Sequence, residues 1–272
     1  MNYFEDLHVI LTAQTPKDKI EKFRYFYDQY KINSAVFHSD IEAEIFAEPS
    51  YRLYCSVVPP QDVPRRKNLQ SRVGQIALLH AVAHIEYSAI DLALDAAYRF
   101  RDMPKAYYDD WLEVADDEIR HFEMLNALLV ELGCHYGDET VHNALFEAQE
   151  CTAHSLLHRM AVVPRYLEAN GLDATPQILE KLKRLPCNEM LEKIMDRLQI
   201  IVDEEVSHVQ KGDRWFTYAC EIKGVSKGIY FEIIERYYPN TFNKPRHINI
   251  EGRKASGFTC KELEKISSQN VC

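Results

Sequence analysis

Helix-breaking residues are scarce, with 9 glycines and 11 prolines in 272 residues. Long stretches between them are left free to form helices. A run of some 18 or more apolar residues is missing, which speaks against a membrane span. The 7 cysteines include no Cys-x-x-Cys pair. That excludes a zinc ribbon or a rubredoxin-type iron site, and an odd number without pairing logic points to reduced thiols in the cytoplasm. The first six residues, Met1 to Asp6, are acidic and lack the apolar core of a signal peptide. A basic excess is also missing: 42 Asp and Glu oppose 32 Lys and Arg, a formal charge of −10. A protein that coats nucleic acid non-specifically needs the opposite sign. Positive charge gathers only locally, in residues 236–272, with seven Lys/Arg against three Glu. Walker, Rossmann and serine-hydrolase signatures are absent.

What is present reads as a folded, helical chain. Apolar residues make up 46% and charged residues 27%, which fits a globular protein. Thr15-Pro16 reads as an N-cap followed by a first-turn proline, starting a helix over about 16–30. The Pro-, Tyr- and Val-rich stretch from Glu48 to Pro64 reads as an extended wrap. Four long periodic segments follow, over about 68–101, 104–132, 139–170 and 188–223. The last three stop at Gly133, Gly171 and Gly224. A short helix over about 176–185 precedes the fourth, and the tail adds a helix to about Tyr238 and a short final one. Helices of roughly 30 residues, about 45 Å long, predict an all-α fold built as a four-helix bundle. The expected organisation is an N-terminal helix and wrap (1–65), a bundle (66–224) and a C-terminal helical extension (225–272).

Two of the four helices carry the same acidic motif. Asp116-Asp117-Glu118-Ile119-Arg120-His121 lies on the second, and Asp203-Glu204-Glu205-Val206-Ser207-His208 lies on the fourth, 87 positions later. Glu and His three apart share a helix face. Both motifs sit within apolar-faced helices, where a charge is costly unless paired or bound to metal. A dinuclear carboxylate site needs two Glu-x-x-His helices and one further Glu from each of two others. Carboxylates balance two divalent cations, and oxygen with imidazole suits iron or manganese.

On the first helix the remaining carboxylate is Glu86, within an apolar run and 32 positions before Glu118. On the third, Glu147, Glu150 and Glu168 compete. Glu168 precedes Glu205 by 37 positions, close to the first spacing, but Glu150 lies five turns before it on the same face. Periodicity does not choose between them, and spacing favours Glu168. A single Glu-x-x-His is ordinarily a solvated surface pair. Two matched copies together with Glu86 outweigh that reading.

These residues resemble a known pattern. Pro64 to Arg66, Ala77 to Glu86, Ala89 to Asp95, Asp117 to Phe122, Leu132 to Asp138, Glu168 to Pro176, His208 to Gly212 and Gly252 to Phe258 are similar to a ferritin-like family designated domain of unknown function 455. The resemblance covers roughly residues 55–265. It implies a ferritin-like bundle with a dinuclear metal site and favours Glu168 as the third-helix ligand. Where the family reads Glu-Ala-Arg-Gly-Leu-Asp, this chain has Asn170 in place of the arginine, which puts a role for an arginine there in doubt. A more distant resemblance is to the ferritin-like tRNA hydroxylase, a non-haem diiron monooxygenase; it implies an activity only by analogy.

Other polar residues are weighed on the same terms. His80 and His84 are four apart, but Glu86 points about 200° away from His84, so hydrogen bonding in the core or to a metal ligand is expected. Asp117 and Glu204 either orient a ligand imidazole or form a solvated flank. Glu150, His154 and His158 form a stripe, continued by Arg165 and Glu168, that reads as a polar ladder rather than a second metal site or a proton path. Arg159 has a core carboxylate or the surface as its alternatives. Tyr87 reads as packing rather than as a radical tyrosine. The cysteines read as buried small hydrophobes or thiols. Arg65-Arg66-Lys67 and the basic tail read as solvated, with seating of an anionic substrate as the sharper alternative.

Three functions follow. The first is an O2-dependent diiron oxidoreductase, a hydroxylase of open substrate, by analogy a tRNA-modifying one. One iron would lie at Glu86, Glu118 and His121 and the other at Glu168, Glu205 and His208, with Glu118 and Glu205 bridging, manganese being the other candidate. It would need an electron donor. The second is an iron-oxidising, storage or stress-protection protein without organic substrate. The third is a metal-free helical interaction protein. The sequence leaves the oligomeric state open.

Overall fold

A computed structural model describes residues 2–32, 35–38 and 42–272. Among these residues the regular structure is helical, apart from three isolated parallel bridges, and the fold is all-α. The chain divides into two compact units, Met1–Glu150 and Cys151–Cys272.

The first unit opens with α1 (Tyr3–Leu11) and α2 (Pro16–Ile32). Thr15 starts α2 as expected, its hydroxyl accepting from the Asp18 amide at 3.2 Å. Helix α1 was not anticipated. Its buried side chains Tyr3, Phe4, Leu7, Ile10 and Leu11 form a single apolar stripe at helical spacing. The stretch expected to be extended instead contains two short 3-10 turns, Ser50–Leu53 and Pro60–Asp62. The buried Tyr51 ring anchors the first of them.

Helices α3 (Arg72–Arg99) and α4 (Lys105–Glu131) form the centre of this unit. Ser71 caps α3 by accepting from the Gly74 amide. A five-residue connection forces the two helices to lie antiparallel. The pairing runs their full length. Tyr107 donates to the Ala96 carbonyl at 3.1 Å near one end. Arg72 donates to the Leu132 carbonyl at 2.7 Å near the other. Gly133 ends α4 with φ +66, the left-handed conformation that its missing Cβ permits. By length and composition alone α3 could cross a membrane, but 83% of its most apolar window is buried inside the protein. Burial on almost every side accounts for its composition. A short helix, α5 (Ala144–Cys151), follows.

The second unit departs from the expected third helix. A turn at 152–154 interrupts it, and Ser155 caps a new start, α6 (Leu156–Val162). A π-helical segment over Val163–Glu168 leads into α7 (Ala169–Lys183). Pro164 lies in that segment and cannot donate a backbone hydrogen bond, which favours the wider turn. Gly171 and Pro176 were expected to end one helix and begin another. Both lie inside α7 instead, because Leu172, Leu179 and Leu182 are buried as one stripe where α7 packs on α8 (Glu189–Lys223). Tertiary burial outweighs the local helix-breaking tendency. Asn188 caps α8 and Gly224 ends it, as the sequence predicts. Gly212 lets α8 approach Pro164 closely, since any Cβ there would collide with the proline ring.

Helices α9 (Ile229–Tyr237), α10 (Ile250–Ala255) and α11 (Cys260–Ile266) complete the unit. Of its three fully buried arginines, two form ion pairs that hold it together. Arg165 pairs with Asp213 and Glu262, each at 2.7 Å, among the rings of Phe216, Tyr230 and Phe258. Arg253 grips Asp173 through Nε at 2.9 Å and Nη2 at 2.7 Å. Cys260 and Cys272 form a disulfide, which corrects the expectation of wholly reduced thiols. The pairing needs a Cα separation that the sequence does not reveal, here 6.1 Å. Cys55, Cys134 and Cys220 are buried, as read from the sequence.

Candidate metal centre

In the first unit the antiparallel packing of α3 on α4 brings Glu86 opposite Glu118 and His121. His121 Nδ1 lies 3.1 Å from Glu86 Oε2 and 3.6 Å from Glu118 Oε2. One ligand atom from each of the three residues lies within 4.8 Å of the others, and all three side chains are buried. Donors bound about 2.1 Å from one ion stand roughly 3–4.3 Å apart. The two separations from His121 Nδ1 fall in that range and no pair exceeds 4.8 Å, so this Glu/His group could hold a metal ion. Carboxylates buried this deeply are costly as anions unless they are paired with positive charge. Burial opposes charge on His121, but hydrogen bonds to Glu118 and Glu86 override it and push the imidazole up to about 11. The field that draws a proton there also attracts a divalent cation.

The second unit repeats part of the arrangement on α8. His208 is fully buried, and its Nδ1 lies 3.5 Å from Glu205 Oε1. Both histidines therefore turn Nδ1 toward the glutamate one turn earlier. Glu168 ends the π segment, half-buried, with Oε2 shielded from solvent. Glu147 and Glu150, its sequence competitors, are exposed on α5.

The remaining histidines have structural partners. His84 donates from Nε2 to the His142 carbonyl at 2.8 Å, and its Nδ1 accepts from the Tyr136 hydroxyl at 2.9 Å. His80 Nε2 accepts from the Gly137 amide at 2.9 Å. Burial lowers both imidazoles to about 4. They are neutral core groups, in line with the sequence reading. The turn at 152–154 breaks the proposed stripe of Glu150, His154 and His158. His154 and His158 stack edge to face at 5.2 Å, and His158 meets the Tyr237 hydroxyl at 2.7 Å. Asp117 binds Arg120 at 2.6 Å, and Glu204 is half-buried. Arg159 is fully buried and donates to Thr152 at 2.7 Å. Tyr87 packs among Tyr51, Phe122 and Tyr136. Asn170 accepts from both Arg246 and Arg253, so arginine chemistry does reach this position, from the tail.

Sequence reasoning missed a buried ion pair in the first unit. Lys19, wholly inaccessible, binds Asp91 and also donates to Ser50 at 3.0 Å. The one available signal was an aspartate inside an apolar stretch of α3.

Comparison with known proteins gives a family but no activity. The profile described as "Protein of unknown function (DUF455)" matches residues 12–264. An "Uncharacterized protein" of Haemophilus influenzae is 34% identical over 275 residues, covering 97% of this chain and 93% of its own length. No solved structure matches.

Proposed function

This chain belongs to the DUF455 family, and we propose that it is a ferritin-like dinuclear carboxylate protein, an O2-dependent oxidoreductase of the hydroxylase type. Its ligands would be Glu86, Glu118, His121, Glu168, Glu205 and His208, holding two iron ions, with manganese as the competing metal. The observation that carries this reading is the buried Glu86–Glu118–His121 group. The repeated Glu205–His208 geometry on α8 supports it. When bound, two ferrous ions supply electrons and open positions for O2 chemistry.

The chain's own residues set the conditions for that chemistry. Glu118 and Glu205 offset cationic charge. His121 and His208, with no exposed surface, present Nδ1 in a fixed direction and keep water away. The Tyr87 ring on α3 packs on Phe122 of α4 at 5.2 Å and stiffens the first helix pair. The proposal includes an electron donor and a small-molecule or tRNA substrate, the latter by analogy with the ferritin-like tRNA hydroxylase. It keeps the cytoplasm as the compartment, where reducing conditions would open the Cys260–Cys272 bond.

Elemental mass spectrometry on protein purified without a metal-binding tag, loaded anaerobically with Fe(II), tests the reading. About two irons per chain, with an oxo-bridge absorption after O2, is the expected outcome. Absence of metal under every loading condition overturns it. Glu118→Ala should lose metal while helicity by circular dichroism persists.

A further inference from the structure

A cavity of about 340 Å³ lies in the first unit, on the face of α3 formed by Ala81, His84 and Ile85. At 100° per residue that face points roughly opposite to Glu86, so the cavity is separate from the metal ligands. Its rim carries Arg65 and Arg66 from the segment after the second 3-10 turn, and His142. No acidic residue lines it. Neither arginine has an acidic side-chain partner among the described residues. In a chain of net charge −10 this is a local reversal of sign.

The fold builds this rim deliberately. The Val57–Val141 bridge, with Val58 donating to the Val141 carbonyl at 2.8 Å, clips the stretch leading to Arg65 beside residues 140–142. His84, buried and held by Tyr136, fixes the His142 carbonyl from beneath. The His142 Nδ1 accepts from the Ala144 amide at 3.3 Å, which places the ring proton on Nε2 as a donor. Arg66 lies near enough for its charge to act on that ring. Pro60, Val63, Pro64 and Val141 supply apolar wall.

We propose that this cavity is a binding site for a phosphate monoester of a small organic molecule. Two guanidiniums match a group carrying nearly two negative charges and several acceptor oxygens. A simple carboxylate would satisfy only one. The apolar wall takes the organic part, and the volume falls within the usual range for small-molecule sites, about 300 Å³ and upward. The proposal does not depend on the metal reading.

Isothermal titration of the full chain with adenosine monophosphate as probe tests it. Adenosine, inorganic phosphate and succinate serve as comparison ligands. The expected result is binding of the monophosphate, weaker binding of phosphate alone, and none of adenosine or succinate. Because both arginines are exposed, the double variant Arg65→Ala/Arg66→Ala should fold, with an unchanged circular dichroism spectrum. It should bind the monophosphate about tenfold more weakly or worse, with unchanged metal content. His142→Ala should give a smaller loss. Glu118→Ala should lose metal yet still bind the monophosphate, so failure of either site is distinguishable from failure of the other. Absence of phosphate binding, equal affinity in the double variant, or succinate binding as well as phosphate would overturn the proposal.

Discussion

Glu118 and His121 face a partner helix that runs unbroken from Arg72 to Arg99, whereas Glu205 and His208 sit on a helix whose neighbours include a π segment. The two units also stabilise buried polarity differently. In the first, beside the buried Lys19–Asp91 and Arg99–Asp95 ion pairs, a network of neutral imidazoles and phenols satisfies itself, as in His84 with Tyr136. In the second, arginines pair with carboxylates, as in Arg165 with Asp213 and Arg253 with Asp173. A neutral network is sensitive to added protons. A charged one is sensitive to loss of either partner.

The largest expected effect tests the charged network. Asp173→Ala strips a fully buried guanidinium of its bidentate partner, which should cost about 3–5 kcal/mol in urea unfolding. Adding Arg253→Met should recover much of that loss. If Asp173→Ala unfolds like wild type, the arginine clamps do not distinguish the second unit.

Acid tests the neutral network. His80 and His84 bind a proton at about 4 in the folded chain and near 6.5 when unfolded. Between these values the unfolded state takes up protons that the folded state refuses. Stability should therefore fall as pH drops from 6.5 toward 4, by up to about 3 kcal/mol for each histidine. Urea midpoints at pH 7 and 5 read this. His80→Gln should flatten the slope, and an unchanged slope would assign the acid sensitivity to other groups.

Reduction of Cys260–Cys272 comes next. Its loop is short, so loop-closure entropy limits the loss of stability to about 3 kcal/mol. Thermal melts with and without dithiothreitol measure it, and the acid response of the first unit should be unchanged by reduction. The smallest expected effect distinguishes the two candidate glutamates. Glu150→Gln, at an exposed position, should leave metal content unchanged, while Glu168→Gln should lower it. The reverse pattern would move the ligand to α5.

Much of this was legible in the sequence. Gly133 and Gly224 ended helices as expected, and Asn188 began one, because caps are local chemistry. The 87-residue repeat identified both Glu-x-x-His pairs, since side chains three apart share a face in any α-helix. The third helix was misread because Gly171 and Pro176 are breakers only on local grounds. Counting back from Glu205 to Glu168 also assumed that Glu168 lies in a regular α-helix, whereas it is the last residue of a π segment. Helix α1 went unread in a short mixed region, although its apolar spacing was present.

By itself the sequence determined where most helices run, which residues repeat, and that the acidic pairs lie on otherwise apolar faces. Those properties follow from backbone torsions and from spacing within a few turns. Only the tertiary structure decided that Glu86 meets His121, that Arg253 reaches Asp173, that Cys260 finds Cys272, and that Arg65 and Arg66 rim a cavity beside His142. Such meetings depend on how distant segments pack, and local periodicity carries no record of that.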